Sequence, residues 1–308
     1  MTTNAIQSSH IYSTYFAPRG RSRIYTLGMQ IAQLYLSPFD QIIGFIGEAG
    51  SGKSVLIKGM FPGIELTNDD DGVNVRPLPL LEQEYETGFF TPHTYHLDIR
   101  FETGFHQLSE LADAVRLAVR RGKRIIIEHF DLIYPLLGVN ANLLIGVGEQ
   151  IVITRPNLFG PLPQDLCDIV YPSLAYRLMA HSAEDLCEYA MTHEQMLACS
   201  HGDIRHGFVL EFREHQPDID IPALEARVNE LIRADLPIDY YDESHILLGG
   251  VQHYCTGPRT HVRSTGRIIG FRLLDHFIYD HFHKTYMLVG CVGDDSEENI
   301  RKLEKIHG

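Results

Sequence analysis

Apolar residues recur at helical spacing over residues 21–36, where Ile24, Leu27, Ile31, Leu34 and Leu36 mark one face and predict an N-terminal helix. Ser37-Pro38-Phe39-Asp40 ends that pattern, and the apolar run Gln41-Ile42-Ile43-Gly44-Phe45-Ile46 reads as a buried strand. Val55-Leu56-Ile57-Lys58 then resumes a helical pattern, and Gly63-Ile64-Glu65-Leu66-Thr67 reads as a second strand. After the acidic run Asp69-Asp70-Asp71 and a Pro-rich loop, residues 94–101 alternate like a half-buried strand. Residues 108–121 form an amphipathic helical pattern with Leu111, Ala114, Val115, Leu117 and Ala118 on its apolar positions. Residues 124–131 follow as a buried strand ending in acids, and the short apolar runs 143–147 and 151–154 add further strands. Strands alternating with helices predict an α/β class, a three-layer sheet with helices on both faces.

Between the first strand and its helix stands Gly47-Glu48-Ala49-Gly50-Ser51-Gly52-Lys53-Ser54, a complete G-x-x-x-x-G-K-[ST] phosphate-binding pattern. Strand, glycine-rich turn and helix are the context in which that pattern has a mechanism. Backbone N–H groups curl around a phosphate at a helix N-terminus, Lys53 reaches the β/γ-phosphates, and the Ser54 hydroxyl binds Mg²⁺. The expected ligand is ATP or GTP with Mg²⁺. Such a site needs an acid at the end of a neighbouring strand to position the metal or the attacking water. Glu128, after Ile125-Ile126-Ile127, is the first candidate and Asp131 the second. Asp69–71 with Arg76 reads either as a substrate-binding acid or as a capped turn.

The chain has 308 residues, 44% of them hydrophobic and 21% charged, enough for one large domain or two ordinary ones. No apolar stretch has the roughly 18 residues needed to span a bilayer, and the N-terminus lacks the basic-then-apolar pattern of a secretory signal. Five dispersed cysteines fit reduced thiols, one of them a ligand, so the expected location is cytoplasmic, with no membrane partner. A formal charge of −14 argues against indiscriminate binding to nucleic acid or anionic lipid. Three basic groups, Arg19/Arg21/Arg23, Arg120/Arg121/Lys123/Arg124 and Arg259/Arg263/Arg267/Arg272, read as solvated faces, the third beside other unusual residues.

Beyond about residue 175 the sequence changes character. Cys255-Thr256-Gly257-Pro258-Arg259-Thr260-His261-Val262-Arg263-Ser264-Thr265-Gly266-Arg267-Ile268 resembles the Cys-Gly-Gly-Thr-His-Val-Arg-Asn-Thr-Gly-Glu-Ile stretch of alanyl-tRNA synthetases. That stretch belongs to their editing region, the second additional domain shared with threonyl-tRNA synthetases. The segment 224–238 resembles the same family's helix, and Phe208-Val209-Leu210-Glu211-Phe212 its Leu-Arg-Phe-Asp-Phe strand, in the same order. The resemblance covers about a third of the chain. It implies an α+β editing-like domain over 176–308, after the P-loop nucleotide-binding domain that the phosphate-loop pattern predicts over 1–175. The whole resembles stand-alone proteins that contain an alanine-tRNA synthetase second additional domain.

In that family a helical His-x-x-x-His and a Cys-x-x-x-His hold Zn²⁺. Carried over, the ligands are His181, Asp185 in place of the second His, Cys255 and His261. Aspartate oxygen is an acceptable zinc ligand. The chain departs from the family in that replacement and in having five residues, rather than three, between Cys255 and His261. His201, His206 and His253 are substitute ligands, and Cys255 as an inert core thiol is the alternative. Arg263 and Thr265 would line the pocket.

Three functions stay open: a hydrolase of mischarged aminoacyl-tRNA gated by ATP or GTP, a small-molecule kinase using the second domain as a ligand sensor, and a nucleotide-driven switch. In each, Lys53 and Glu128 carry the chemistry at the phosphate loop. Nothing resembles an aminoacylation core.

Overall fold

The computed structural model describes residues 12–66 and 93–307. Its chain divides into two units, one of Met1–Ala17 with Arg21–Pro172, the other of Pro18–Gly20 with Ser173–Gly308. Asp69–71, Arg76 and Thr67 lie outside the described residues.

The first unit contains β1 (Ser13–Phe16), α1 (Arg21–Tyr35), β2 (Ile42–Ile46), α2 (Lys53–Met60), β3 (Thr94–Asp98), α3 (Ile99–Glu102) and α4 (Leu108–Arg120). It continues with β4 (Arg124–Glu128), α5 (Phe130–Leu137), β5 (Leu143–Val147), β6 (Gln150–Thr154) and the start of α6 (Pro163–Ala190). One six-stranded sheet runs in the order β1-β6-β5-β2-β4-β3. Strands β2 to β5 are parallel, while β6 is antiparallel to both β5 and β1.

Because side chains alternate across a strand, the sheet feeds two cores. Ile42, Ile46, Ile125, Ile127 and Leu144 pack with Leu111, Val115 and Ala118 of α4, Phe130 and Ile133 of α5 and Leu166 of α6. Ile43, Phe45, Ile126, Leu143 and Ile145 pack on the other face with Ile24 and Ile31 of α1 and Leu56, Ile57 and Met60 of α2. The first unit is therefore three-layered and mixed α/β.

Three element boundaries differ from the sequence reading. No strand forms over Gly63 to Leu66; Ile64 N–H donates to the Phe61 carbonyl and Gly63 has φ of 86°, so this stretch is a turn. β3 stops at Asp98, whose carboxylate accepts from the Phe101 N–H and caps α3. β4 stops at Glu128 because His129 takes φ of 56° and Phe130 opens α5.

The second unit continues α6 through Ala190 and adds α7 (His193–Ala198), β7 (Cys199–Ile204), β8 (Gly207–Arg213), α8 (Ile221–Arg233), β9 (Ile238–Asp242), β10 (His245–Leu248) and β11 (Val251–Tyr254). A 3-10 turn (Thr265–Arg267), β12 (Arg272–Leu273), β13 (Ile278–Asp280), β14 (Thr285–Cys291) and α9 (Ser296–His307) complete it. An antiparallel sheet runs β12-β14-β8-β7 with β13 also on β14, and β9 to β11 form a separate antiparallel meander. Phe208, Leu210, Phe212 and Leu288 face Ala183 and Leu186 of α6 and Leu224 and Val228 of α8. Val209, Val289 and Cys291 face the opposite way, with Ile300 and Leu303 of α9 packed there. Among the described residues no helix is long and apolar enough to cross a membrane.

Candidate functional site

In the first unit, residues 47–52 carry the chain from the carboxyl end of β2 into α2. Gly47 has φ of 154°, and a Cβ there would stand 2.5 Å from the Val147 carbonyl oxygen at the end of β5. Gly50 and Gly52 also have positive φ, 79° and 92°, a region that side chains other than glycine seldom adopt. Ala49 and Gly50 are exposed, whereas Ser51 is buried, with its N–H donating to the Glu48 carbonyl. The Lys53 ammonium folds back over this turn and donates to the carbonyls of Gly47 at 2.9 Å and Glu48 at 2.8 Å. Burial holds its pKa below the usual lysine value, against the pull of Glu128 and Asp98.

Glu128 lies on the same side of β4 as Ile126, the side on which α2 packs. That parity brings its carboxylate to the start of α2, where Ser54 Oγ donates to Glu128 Oε1 at 3.2 Å. The other oxygen is 3.8 Å from Lys53 Nζ, and His96 Nε2 lies 3.1 Å from Oε1. Burial would raise this carboxyl, but His96 and Lys53 outweigh it and hold the acid ionised. Asp98 is in register with Glu128 on the adjoining strand. Asp98, Glu128 and His129 offer ligand atoms all within 4.8 Å of one another. Burial, with Lys53 and Arg100, pushes His129 down to about 4, so it is a neutral imidazole. Glu48 pairs with Arg100 at 2.9 Å. Asp131, the second candidate acid, instead accepts from Tyr171 Oη at 3.3 Å, and burial raises its pKa.

In the second unit, α6 carries His181, Glu184, Asp185 and Glu188 at i, i+3, i+4 and i+7, one stripe of the helix. All four are buried. Opposite them, β7 presents Cys199, His201 and Asp203 at alternate positions, hence on one face. Asp203 Oδ1 is 3.7 Å from His181 Nε2, and His201 touches Glu184 at 2.9 Å and Glu188 at 3.2 Å. Cys199 Sγ is 3.9 Å from Glu188 Oε1.

Asp185, Cys255 and His261 offer ligand atoms within 4.8 Å of one another, although 69 residues of chain separate Asp185 from Cys255. His261 Nε2 is 2.7 Å from Asp185 Oδ2 and 3.7 Å from Cys255 Sγ. Its Nδ1 faces the Pro258 carbonyl at 3.3 Å, a partner that leaves the Nε2 lone pair directed at the other two groups. This donor set fits a zinc-class cation. His181, read from sequence as the fourth ligand, is outside that group and turns to Asp203. Glu188 and His253 form a further group with Asp185.

Arg19 was read from sequence as part of a solvated face and is instead 1% exposed. Its guanidinium pairs with Glu184 and Asp185 and lies 3.1 Å from Cys255 Sγ. Burial would raise Glu184, but Arg19 and His201 bring it down to about 2. A cation bound to Asp185 and Cys255 has to displace these contacts. Thr265 is buried, its hydroxyl donating to the Leu231 carbonyl and accepting from Leu236 N–H, so it fastens the 3-10 turn to α8. Arg263 is exposed. Within the third basic group, Arg259 lies on Tyr240 and near Glu243, and Arg272 pairs with Glu225. His206 stacks on Tyr176 and pairs with Asp295, away from the α6 stripe.

No protein-family model matches the chain, and no curated protein matches it. Among the solved structures it matches is an amino transferase from Eubacterium rectale, at 12% identity over 74% of this chain and 67% of that one, with a TM-score of 0.23. A likeness that low carries no argument about fold or activity.

Proposed function

We propose that this chain binds a magnesium–nucleoside triphosphate, ATP or GTP, through a P-loop NTPase domain. The observation that carries this reading is the Lys53–Ser54–Glu128 arrangement. A buried ammonium is tethered over the glycine-rich turn, and the adjoining hydroxyl is bonded to an ionised acid from the neighbouring strand. The first N–H groups of a helix have no partner within it and favour an anion. Lys53 adds a full positive charge at the same end. Ser54 and Glu128 would hold Mg²⁺, which supplies charge to the phosphate oxygens.

For the second unit we infer an aminoacyl-tRNA editing-like module, supported by the grouping of Asp185, Cys255 and His261. Zn²⁺ there would supply positive charge to an ester carbonyl. His261 Nε2, Cys255 and an Asp185 oxygen would fix the ion, and the Pro258 carbonyl would hold the imidazole through Nδ1. The proposed activity is hydrolysis of mischarged aminoacyl-tRNA under nucleotide control.

Equilibrium binding of ATP and GTP with Mg²⁺, measured by calorimetry, tests the first reading. Loss of a charge-assisted contact worth about 1.5–3 kcal/mol weakens affinity roughly 10- to 150-fold, so Lys53→Ala should show at least a tenfold loss. Unchanged affinity in a folded Lys53→Ala protein would refute it. Release of amino acid from mischarged tRNA, with and without nucleotide, tests the second. Phosphorylation of a small acceptor without such release would favour the kinase.

A further inference from the structure

The α6 stripe and the β7 face meet at a second constellation, from which the editing resemblance draws only His201, as a substitute ligand. Glu188, Cys199 and His201 offer a carboxylate oxygen, a thiol sulfur and a ring nitrogen, all within 4.8 Å of one another. His201 Nδ1 lies 2.9 Å from Glu184 Oε1, and its Nε2 lies 3.2 Å from Glu188 Oε1. With Nδ1–H donated to Glu184, the Nε2 lone pair is aimed at Glu188. Two acceptors then face each other, and that contact calls for a proton or a cation between them. A carboxylate holding the far nitrogen of an imidazole is the support metal-ligating histidines usually have.

A second imidazole stands beside Glu188, in the group it forms with Asp185. His253 is 8% exposed, and its Nε2 has no hydrogen-bond partner. It lies 3.9 Å from Glu188 Oε2, the oxygen turned away from His201. Glu188 thus stands between two nitrogen donors, with one oxygen towards each. Arg19 directs its two terminal nitrogens at Glu184, Asp185 and Cys255. The Cys199 thiol donates to the Met196 carbonyl at 3.2 Å and lies 3.9 Å from Glu188 Oε1. A bound metal ion deprotonates a coordinating thiol outright.

We infer that Glu188, Cys199 and His201 bind a zinc-class cation of their own, separate from the Asp185–Cys255–His261 group. The donor set of one thiolate, one imidazole and one carboxylate suits Zn²⁺ rather than Mg²⁺ or Ca²⁺. The site depends neither on nucleotide binding nor on ester hydrolysis.

The test is zinc stoichiometry by elemental analysis on the untagged full chain, purified without chelator and re-equilibrated with Zn²⁺. Wild type, Cys199→Ser and Cys255→Ser are compared, with far-UV circular dichroism as the folding control. Cys199→Ser should lose one equivalent of zinc, and Cys255→Ser should keep it. With Co²⁺ as probe, Cys255→Ser should retain a thiolate charge-transfer band from Cys199, whose group is the other one that contains a cysteine among the described residues; this readout holds even if Cys199→Ser fails to fold. Zinc lost in Cys199→Ser but not in Cys255→Ser would support this site while removing the carried-over one. Folded Cys199→Ser with its full zinc content, or Cys255→Ser without a cobalt–thiolate band, would overturn the proposal.

Discussion

Arg19 illustrates how far one residue's role can depart from its sequence surroundings. Its neighbours Arg21 and Arg23 are exposed, yet its own guanidinium is buried against Glu184 and Asp185. Removing one partner of a buried ion pair costs about 3–5 kcal/mol because the remaining charge has no compensation. Arg19→Met should destabilise the metal-free second unit by about that amount, read from urea unfolding. Added Zn²⁺ should return part of the loss, since a cation at Asp185 and Cys255 replaces the missing charge. Full stability in metal-free Arg19→Met would contradict the assignment of Arg19 as the cluster's counter-ion.

His181 supplies a pH dependence. Burial is the largest cause of its shift and, with Arg19 and Arg177, outweighs Asp203 to bring it down to about 4. An unfolded histidine titrates near 6.5. Between those values the unfolded state binds the extra proton, so stability rises with pH through that window and falls as pH drops from about 6.5 to about 4. Unfolding measurements on metal-free protein should show this decline, and His181→Gln should make it shallower. An identical slope in the variant would show that other groups carry it.

At the scale of elements, the placement of the glycine-rich turn depends on how α1 and α2 approach. A Cβ at Gly59 would lie 2.2 Å from the Tyr25 carbonyl oxygen, and one at Gly28 would lie 2.5 Å from that of Leu56. Both obstacles are backbone and cannot rotate away. Overpacking of this kind costs about 1–3 kcal/mol. Gly59→Ala should lower stability by that order and, by displacing α2, weaken nucleotide affinity. Wild-type stability in that variant would mean the helices separate freely.

Elements whose buried faces are periodic were legible in the sequence: β2, β4, β5, α1 and α4 fall where apolar spacing put them, within a few residues. The stretch after Gly63 was misread because Ile64 and Leu66 look strand-like, whereas a turn hydrogen bond and positive φ decide the backbone there. β1 went unread because it is a four-residue edge strand without an apolar run. The meeting of Lys53, Ser54 and Glu128 was legible because local spacing and a strand end place all three. Of Cys199-x-His201-x-Asp203 the sequence offers only His201 as a substitute ligand, although the alternation is visible. Only the long-range pairing of β7 with α6 gives that alternation a partner.

For the whole molecule, the chain order of the two units is simpler than their membership. Sequence character changes near residue 175, while contacts divide the chain at Pro172 and assign Pro18–Gly20 to the second unit. No local pattern announces that three-residue exception, because it is defined by contacts with residues far away in sequence. The two candidate ligands belong to different units: the nucleotide with Lys53, Ser54 and Glu128, zinc with α6 and β7. A ligand that binds only the native state stabilises it by about 2.7 kcal/mol at a hundred times its dissociation constant. Scanning calorimetry should therefore show Mg²⁺–nucleotide and Zn²⁺ each raising the melting temperature of a different part of the transition. Lys53→Ala should abolish the nucleotide shift and leave the zinc shift intact. Cys199→Ser with Cys255→Ser should do the reverse. A zinc shift that disappears in Lys53→Ala would break the assignment of these ligands to separate units.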